Sequence, residues 1–144
     1  MKNNEYKNKS IVKIYFKDLL KNMYLYNKKL FIFDLDGTLV DTAPDFKNSL
    51  NYMLNEINEE PIQLDEIRNL VGYGARELIR RTVLSKGIEH DDKKINDMLK
   101  TFLLHYTHNI DDDSVLFDNV ENVLLFLKEK NIKLAVCTNK MEKL

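Results

Sequence analysis

Cysteine occurs once in this 144-residue chain, at Cys137. A single thiol excludes an internal disulfide and fits a reducing cytosol, so a cytoplasmic location is expected. Cys137 falls in an apolar stretch, where a buried structural thiol is the expected role. An excess of either charge is missing as well: 22 Lys and Arg against 23 Asp and Glu leave a net charge of −1. That balance provides no footprint for nucleic acid or an anionic membrane, and neither is expected as a partner. No apolar run nears the roughly 18 residues needed to span a bilayer. Near the N-terminus Lys2, Lys7 and Lys9 precede an apolar patch, as in a signal peptide. Lys13, Lys17 and Asp18 interrupt the patch, which therefore lacks the continuous apolar core of a signal. Its apolar positions Val12, Phe16, Leu19, Leu20 and Met23 recur at helical spacing. They suggest either an amphipathic helix lying on the domain or a dispensable extension preceding a start at Met23. What remains is a soluble chain, 44% hydrophobic, of a length suited to one domain with a small insertion. Composition does not decide between monomer and homodimer.

The most informative stretch present is residues 31–42, Phe-Ile-Phe-Asp-Leu-Asp-Gly-Thr-Leu-Val-Asp-Thr. Leu30 to Phe33 shows no polar alternation and reads as a buried parallel strand ending at Asp34. Two acids, Asp34 and Asp36, stand at its carboxyl end, where open α/β sheets bind their ligands. A plain strand-to-turn junction would also favour Asp and Gly. The chemistry available to the pair is more specific. A carboxylate can attack a phosphoryl group to give an aspartyl-phosphate, and Asp34 has the rigid backbone that in-line attack needs. Asp36 can protonate the leaving oxygen and then activate water. Gly37 lets the backbone turn and approach, and Thr38 adds a hydroxyl and an amide near the phosphate. Two acids and a phosphate concentrate negative charge, and Mg²⁺ is the hard cation suited to offset it.

After Thr42 the periodicity becomes helical. Phe46, Leu50, Met53, Leu54 and Ile57 form one stripe, ending before Pro61. Leu64, Ile67, Leu70 and Val71 predict a short helix. Leu78, Ile79, Thr82 and Val83 predict a third, ending near Gly87, and Ile95 to Tyr106 a fourth. Asp111 to Ser114 closes this block as a polar turn. Val120, Val123, Leu124 and Leu127 mark another helix, and Lys133 to Cys137 a second strand. The order strand, helical block, helix, strand predicts an α/β domain with a helical insertion.

Thr138-Asn139-Lys140 follows the second strand, so it too lies at a strand carboxyl end. Its hydroxyl and side-chain amide can hydrogen-bond a phosphate oxygen. In Val71-Gly72-Tyr73-Gly74-Ala75-Arg76, the glycines permit close backbone approach just before a helix N-terminus that attracts anions. Arg76, Arg80 or Arg81 could hold a second anionic group of a small substrate in a bidentate contact. His105 and His108 lie three apart on a helix, but no third metal ligand is placed to join them, and a solvated helix end is expected.

The stretch Asp34-Leu35-Asp36-Gly37-Thr38-Leu39-Val40-Asp41-Thr42 resembles the first motif of the haloacid dehalogenase-like superfamily of phosphatases and phosphotransferases. Ala135-Val136-Cys137-Thr138-Asn139-Lys140 and the Gly72–Gly74 loop with its helix look like those of phosphoglycolate phosphatases. The resemblance implies a Rossmannoid α/β core, incomplete with two parallel strands, and an all-helical cap. Its expected divisions are an N-terminal extension over 1–29, a partial core over 30–42 and 115–144, and the cap over 43–114. It implies Asp34 as nucleophile and Asp36 as acid/base, with Mg²⁺ held by Asp34 and the Asp36 backbone carbonyl. Gly37, Thr38, Thr138, Asn139, Gly72, Gly74 and Arg76 would bind a small phosphorylated substrate, 2-phosphoglycolate by resemblance. Asp at position 36 points to ester hydrolysis and away from carbon–halogen cleavage. A superfamily lysine and a later acidic pair normally come from segments downstream of Leu144, so the chain reads as truncated before the third and fourth motifs. Lys140 and Lys143 lie too close to the second motif to be read as that lysine. The alternatives are a sugar-phosphate phosphatase or phosphomutase of the same superfamily, and a catalytically inactive remnant.

Overall fold

The computed structural model describes residues 28–68 and 70–141. The amphipathic stretch from Val12 to Met23 and Lys143 lie outside the described residues. Strand β1 (Leu30–Phe33) leads through a tight loop to the two-residue strand β2 (Val40–Asp41). Four helices follow: α1 (Ala43–Glu56), α2 (Leu64–Arg68), α3 (Ala75–Ser85) and α4 (Asp92–His108). The chain returns through β3 (Val115–Leu116), helix α5 (Val120–Glu129) and strand β4 (Lys133–Val136). The architecture is α/β, as the order of periodicities predicts.

Local chemistry accounts for the helix limits. Pro44 sits in the first turn of α1, where its missing N–H costs nothing. Past α1 the chain is clamped by Asn51, which donates to the Ile62 carbonyl at 3.1 Å and accepts from the Ile62 amide at 2.8 Å. This pair holds the turn around Pro61 against α1. Asp91 caps α4 by accepting from the Lys94 amide at 2.7 Å, satisfying an N–H with no partner inside the helix.

The predicted stripes meet in one core. Leu50, Met53 and Leu54 of α1 pack with Ile67, with Leu78, Ile79 and Val83 of α3, and with Ile95, Met98, Phe102 and Tyr106 of α4. Each fully buried aliphatic side chain there contributes roughly 1.5–3 kcal/mol. Phe46, Phe102 and Tyr106 stack at one end, with Phe46 and Tyr106 centroids 4.8 Å apart. Asp45, 1% exposed, accepts from the Asp113 amide at 2.9 Å and from the Ser114 hydroxyl. The turn at 111–114 is thereby pinned to the start of α1, so both ends of the helical segment leave it together. His105 is not the solvated helix end that spacing suggests. Its Nδ1 lies 3.0 Å from the Ser49 hydroxyl and its ring stacks on Tyr52, which seats it between α4 and α1.

β1 and β4 pair in parallel, with Leu30 opposite Lys133 and Phe33 opposite Val136. The ladder runs one residue further, the Cys137 amide donating to the Phe33 carbonyl at 2.8 Å. A second pairing was not legible in the sequence: β2 and β3 join antiparallel, Val40 opposite Leu116. Two expectations about burial are corrected. Leu30 and Ile32 are 49% and 60% exposed, β4 is exposed along its length, and Cys137 is exposed. A strand is buried on both faces only when layers cover both, and among the described residues this two-stranded sheet lacks that cover. No helix among the described residues is long and apolar enough to cross a membrane.

Candidate active site

The parallel pairing of β1 and β4 brings Asp34 and Thr138 to the same end of the sheet, Asp34 one residue and Thr138 two residues beyond the carboxyl ends of their strands. The loop after Asp34 is closed by the Leu35 carbonyl, which accepts from the Thr38, Leu39 and Val40 amides at 3.0–3.2 Å. This coil needs the left-handed backbone of Gly37, φ 78°. It turns Asp36 back toward the helical segment, with its side chain only 10% exposed. Asp34 stays exposed, and its Oδ1 accepts from the Leu35 amide at 2.8 Å.

One cavity gathers most of the residues singled out in the sequence. Asp34, Asp36, Gly72, Gly74, Arg76, Thr138 and Asn139 line it, together with Lys140. Its apolar side comes from Phe46, Leu70, Val71, Leu78, Leu99, Leu103, Tyr106 and Met141. The Asn139 amide donates to the Gly72 carbonyl at 3.0 Å, so the second strand-end motif and the glycine loop are in direct contact. Gly37 and Thr38 are exposed in the turn and do not line the cavity.

Gly74 caps the start of α3 with φ 83° and ψ 156°, a region only glycine enters freely. An added Cβ would meet nothing within 4 Å, so a side chain there would suffer backbone strain alone. Gly74→Ala is therefore expected to cost about 1–3 kcal/mol, read as a lower urea midpoint. An unchanged midpoint would show that the loop does not hold this conformation in solution.

The arginines of α3 are committed to acids. Arg76 donates to Asp92 at 3.0 Å and to Asn96. Arg81 donates to Glu77 at 2.8 Å, and Arg80 lies 3.9 Å from the same carboxylate. The hydrogen bond from Arg81 holds Glu77 below the usual carboxylate range. Arg81 also stacks over Tyr73, 3.9 Å from its ring centroid.

Lys140 was set aside in the sequence for its nearness to the second motif, yet its ammonium lies 3.6 Å from Asp36 Oδ1 with both side chains nearly buried. Tyr106, read only as a core position, presents its hydroxyl to Lys140. Burial, then the nearby carboxylates of Asp36 and Asp45, push the Tyr106 phenol up from its ordinary value, so it stays protonated. Periodicity could not find these contacts, because a helical stripe does not reveal which of its residues stands at the rim of a cleft.

For Mg²⁺ the donors fit in kind: the second Asp34 oxygen and the Asp36 carbonyl are hard oxygen ligands past the end of β1. No group of three His, Cys, Asp or Glu side chains able to hold a metal is found among the described residues. Substrate oxygens and water would have to complete the shell.

A family model for haloacid dehalogenase-like hydrolases matches residues 31–144. The chain is 41% identical over 121 residues to a phosphoglycolate phosphatase of Colwellia psychrerythraea, covering 82% of this chain and 54% of that protein. It is 38% identical over 125 residues to one of Caulobacter vibrioides, covering 87% of this chain and 53% of the relative. The chain thus spans about half the length of the curated relatives it matches. Among solved structures, a predicted phosphoglycolate phosphatase of Haemophilus somnus superposes with a TM-score of 0.72 at 32% identity, covering 85% of this chain and 55% of that one. A haloacid dehalogenase-like family hydrolase of Streptococcus pneumoniae, 21% identical with a TM-score of 0.67, shares the fold over 78% of this chain and 50% of its own. With its acid pair at the end of β1 and this match over most of its length, the chain belongs to the haloacid dehalogenase-like hydrolase family.

Proposed function

We propose that this chain serves phosphoric monoester hydrolysis of the 2-phosphoglycolate phosphatase type, through an aspartyl-phosphate on Asp34. The observation that carries the reading is the convergence of Asp34, Asp36 and Thr138 with the Gly72–Gly74 loop in one cavity. The names of these curated relatives support the substrate class.

In this reading an Asp34 oxygen attacks phosphorus, and the bond from phosphorus to the leaving oxygen breaks. Asp36 delivers its proton to that oxygen. Asp36, now a carboxylate, takes a proton from water as the water attacks the acyl-phosphate, releasing phosphate and restoring Asp34. Thr138 holds the phosphoryl oxygens, with the Asn139 amide and the Gly37 and Thr38 backbone nearby. Mg²⁺, when bound by Asp34 and the Asp36 carbonyl, offsets the charge gathered there. Residues 43–114 act as a cap over a partial core made of 30–42 and 115–144, excluding water from the acid pair. Gly72, Gly74 and Arg76 would meet the far end of the substrate, Arg76 by exchanging its contact with Asp92.

The test is phosphate release by the purified chain in the presence of Mg²⁺. Hydrolysis of 2-phosphoglycolate in preference to hexose phosphates is the expected result. A preference for hexose phosphates would remove the substrate assignment, and no hydrolysis of any ester would remove the activity.

A further inference from the structure

Two cations line the cavity among the described residues, and only one faces the acid pair. Arg76 is turned to Asp92 and Asn96, whereas the side chain of Lys140 is 11% exposed and directed at Asp36. Asp36 Oδ1 is buried and accepts no hydrogen bond. A carboxyl group so placed has a broad torsion about its last bond, and the Lys140 ammonium lies 3.6 Å from that oxygen. Lys140 is itself fixed from two directions. Its backbone amide donates to the Thr138 hydroxyl at 3.0 Å. Its ammonium donates to the Tyr106 hydroxyl and lies 4.8 Å and 5.7 Å from the ring centroids of Tyr106 and Phe46. Those two rings belong to α4 and α1, so a residue following β4 reaches Asp36 in the company of side chains from the helical segment.

We propose that Lys140 is a positioning residue: clamped by Tyr106 and Phe46, its ammonium orients the Asp36 carboxyl group for proton transfer to the leaving oxygen. The acid is then aligned only while the helical segment is seated on the strand ends. This rests on the phosphatase reading, with Asp36 as the proton donor. Proton transfer requires an approach of about 2.6–3.2 Å, and small misplacements of a reacting group can cost on the order of a hundredfold in rate.

Lys140→Met retains the aliphatic stem over the rings and deletes the charge. With 2-phosphoglycolate, whose alkoxide leaves only when protonated, its kcat is expected to fall on the order of a hundredfold while KM changes little. With p-nitrophenyl phosphate, whose leaving group needs no proton, the loss should be far smaller. Tyr106→Phe, lacking one hydroxyl, should repeat this pattern more weakly, and it serves where loss of the charge disturbs folding. In amide NMR spectra of the unliganded chain, both variants should shift the Asp36 and Gly37 resonances. Equal losses on the two esters, or unmoved resonances, overturn the inference and leave the phosphatase reading intact. A wild-type chain that hydrolyses neither ester overturns that reading, and this inference with it.

Discussion

Replacing Asp34 by Asn is expected to abolish phosphate release, by a thousandfold or more on the order of magnitude seen for loss of a catalytic nucleophile. Asn keeps the size of the side chain and the oxygen that accepts from the Leu35 amide. It offers no carboxylate to form the acyl-phosphate. Because Asp34 is exposed and carries no buried contact, the fold should be unaffected. Circular dichroism and the thermal midpoint of Asp34→Asn should therefore match the wild type while turnover disappears. Retention of turnover would place the nucleophile elsewhere. A parallel loss of structure would instead make Asp34 a folding residue.

Phe102→Ala carries the largest expected effect on stability. Phe102 is fully buried, and its ring stacks on Phe46 and Tyr106 with centroids 6.2 Å and 5.6 Å away. Truncating a buried phenylalanine costs about 3–5 kcal/mol through lost transfer energy and the cavity left behind. Against a typical total of about 5–15 kcal/mol that is a large share. A fall in Tm of roughly 10–20 °C is expected by calorimetry or thermal circular dichroism. The consequence reaches the site, since Phe46 and Tyr106 are also the rings that flank Lys140. Activity should thus decline below the unfolding temperature as well. A shift under a few degrees would mean that the neighbouring side chains collapse into the space.

Much of the local structure was legible because it rests on local rules. The stripes Phe46–Ile57 and Ile95–Tyr106 repeat at helical period and became α1 and α4, and the apolar runs before Asp34 and Thr138 became β1 and β4. The β2–β3 pairing was not legible, since two residues on each side carry no periodic signal and their register depends on a contact made across the whole helical segment. Burial of β1 and Cys137 was misjudged for a related reason. An apolar run shows that a strand can be covered on both faces, while only the neighbouring layers decide whether it is.

The sequence by itself determined the candidate groups: Asp34 and Asp36 beyond one strand, Thr138 beyond another, and a glycine loop ahead of α3. Each follows from residue type and spacing along a short stretch. Only the tertiary structure decided how those groups are served. It joined Asn139 to the glycine loop 67 residues away and Lys140 to Tyr106 at a separation of 34. It also turned Arg76, Arg80 and Arg81 toward acids of α3 and α4. A nearly buried charge such as that of Lys140 goes to whatever partner the packed helices bring within a few ångströms, because burial makes an unpaired charge costly. That partner is fixed by the fold of distant segments, which is why the lysine beside the acid pair emerged only from the assembled chain.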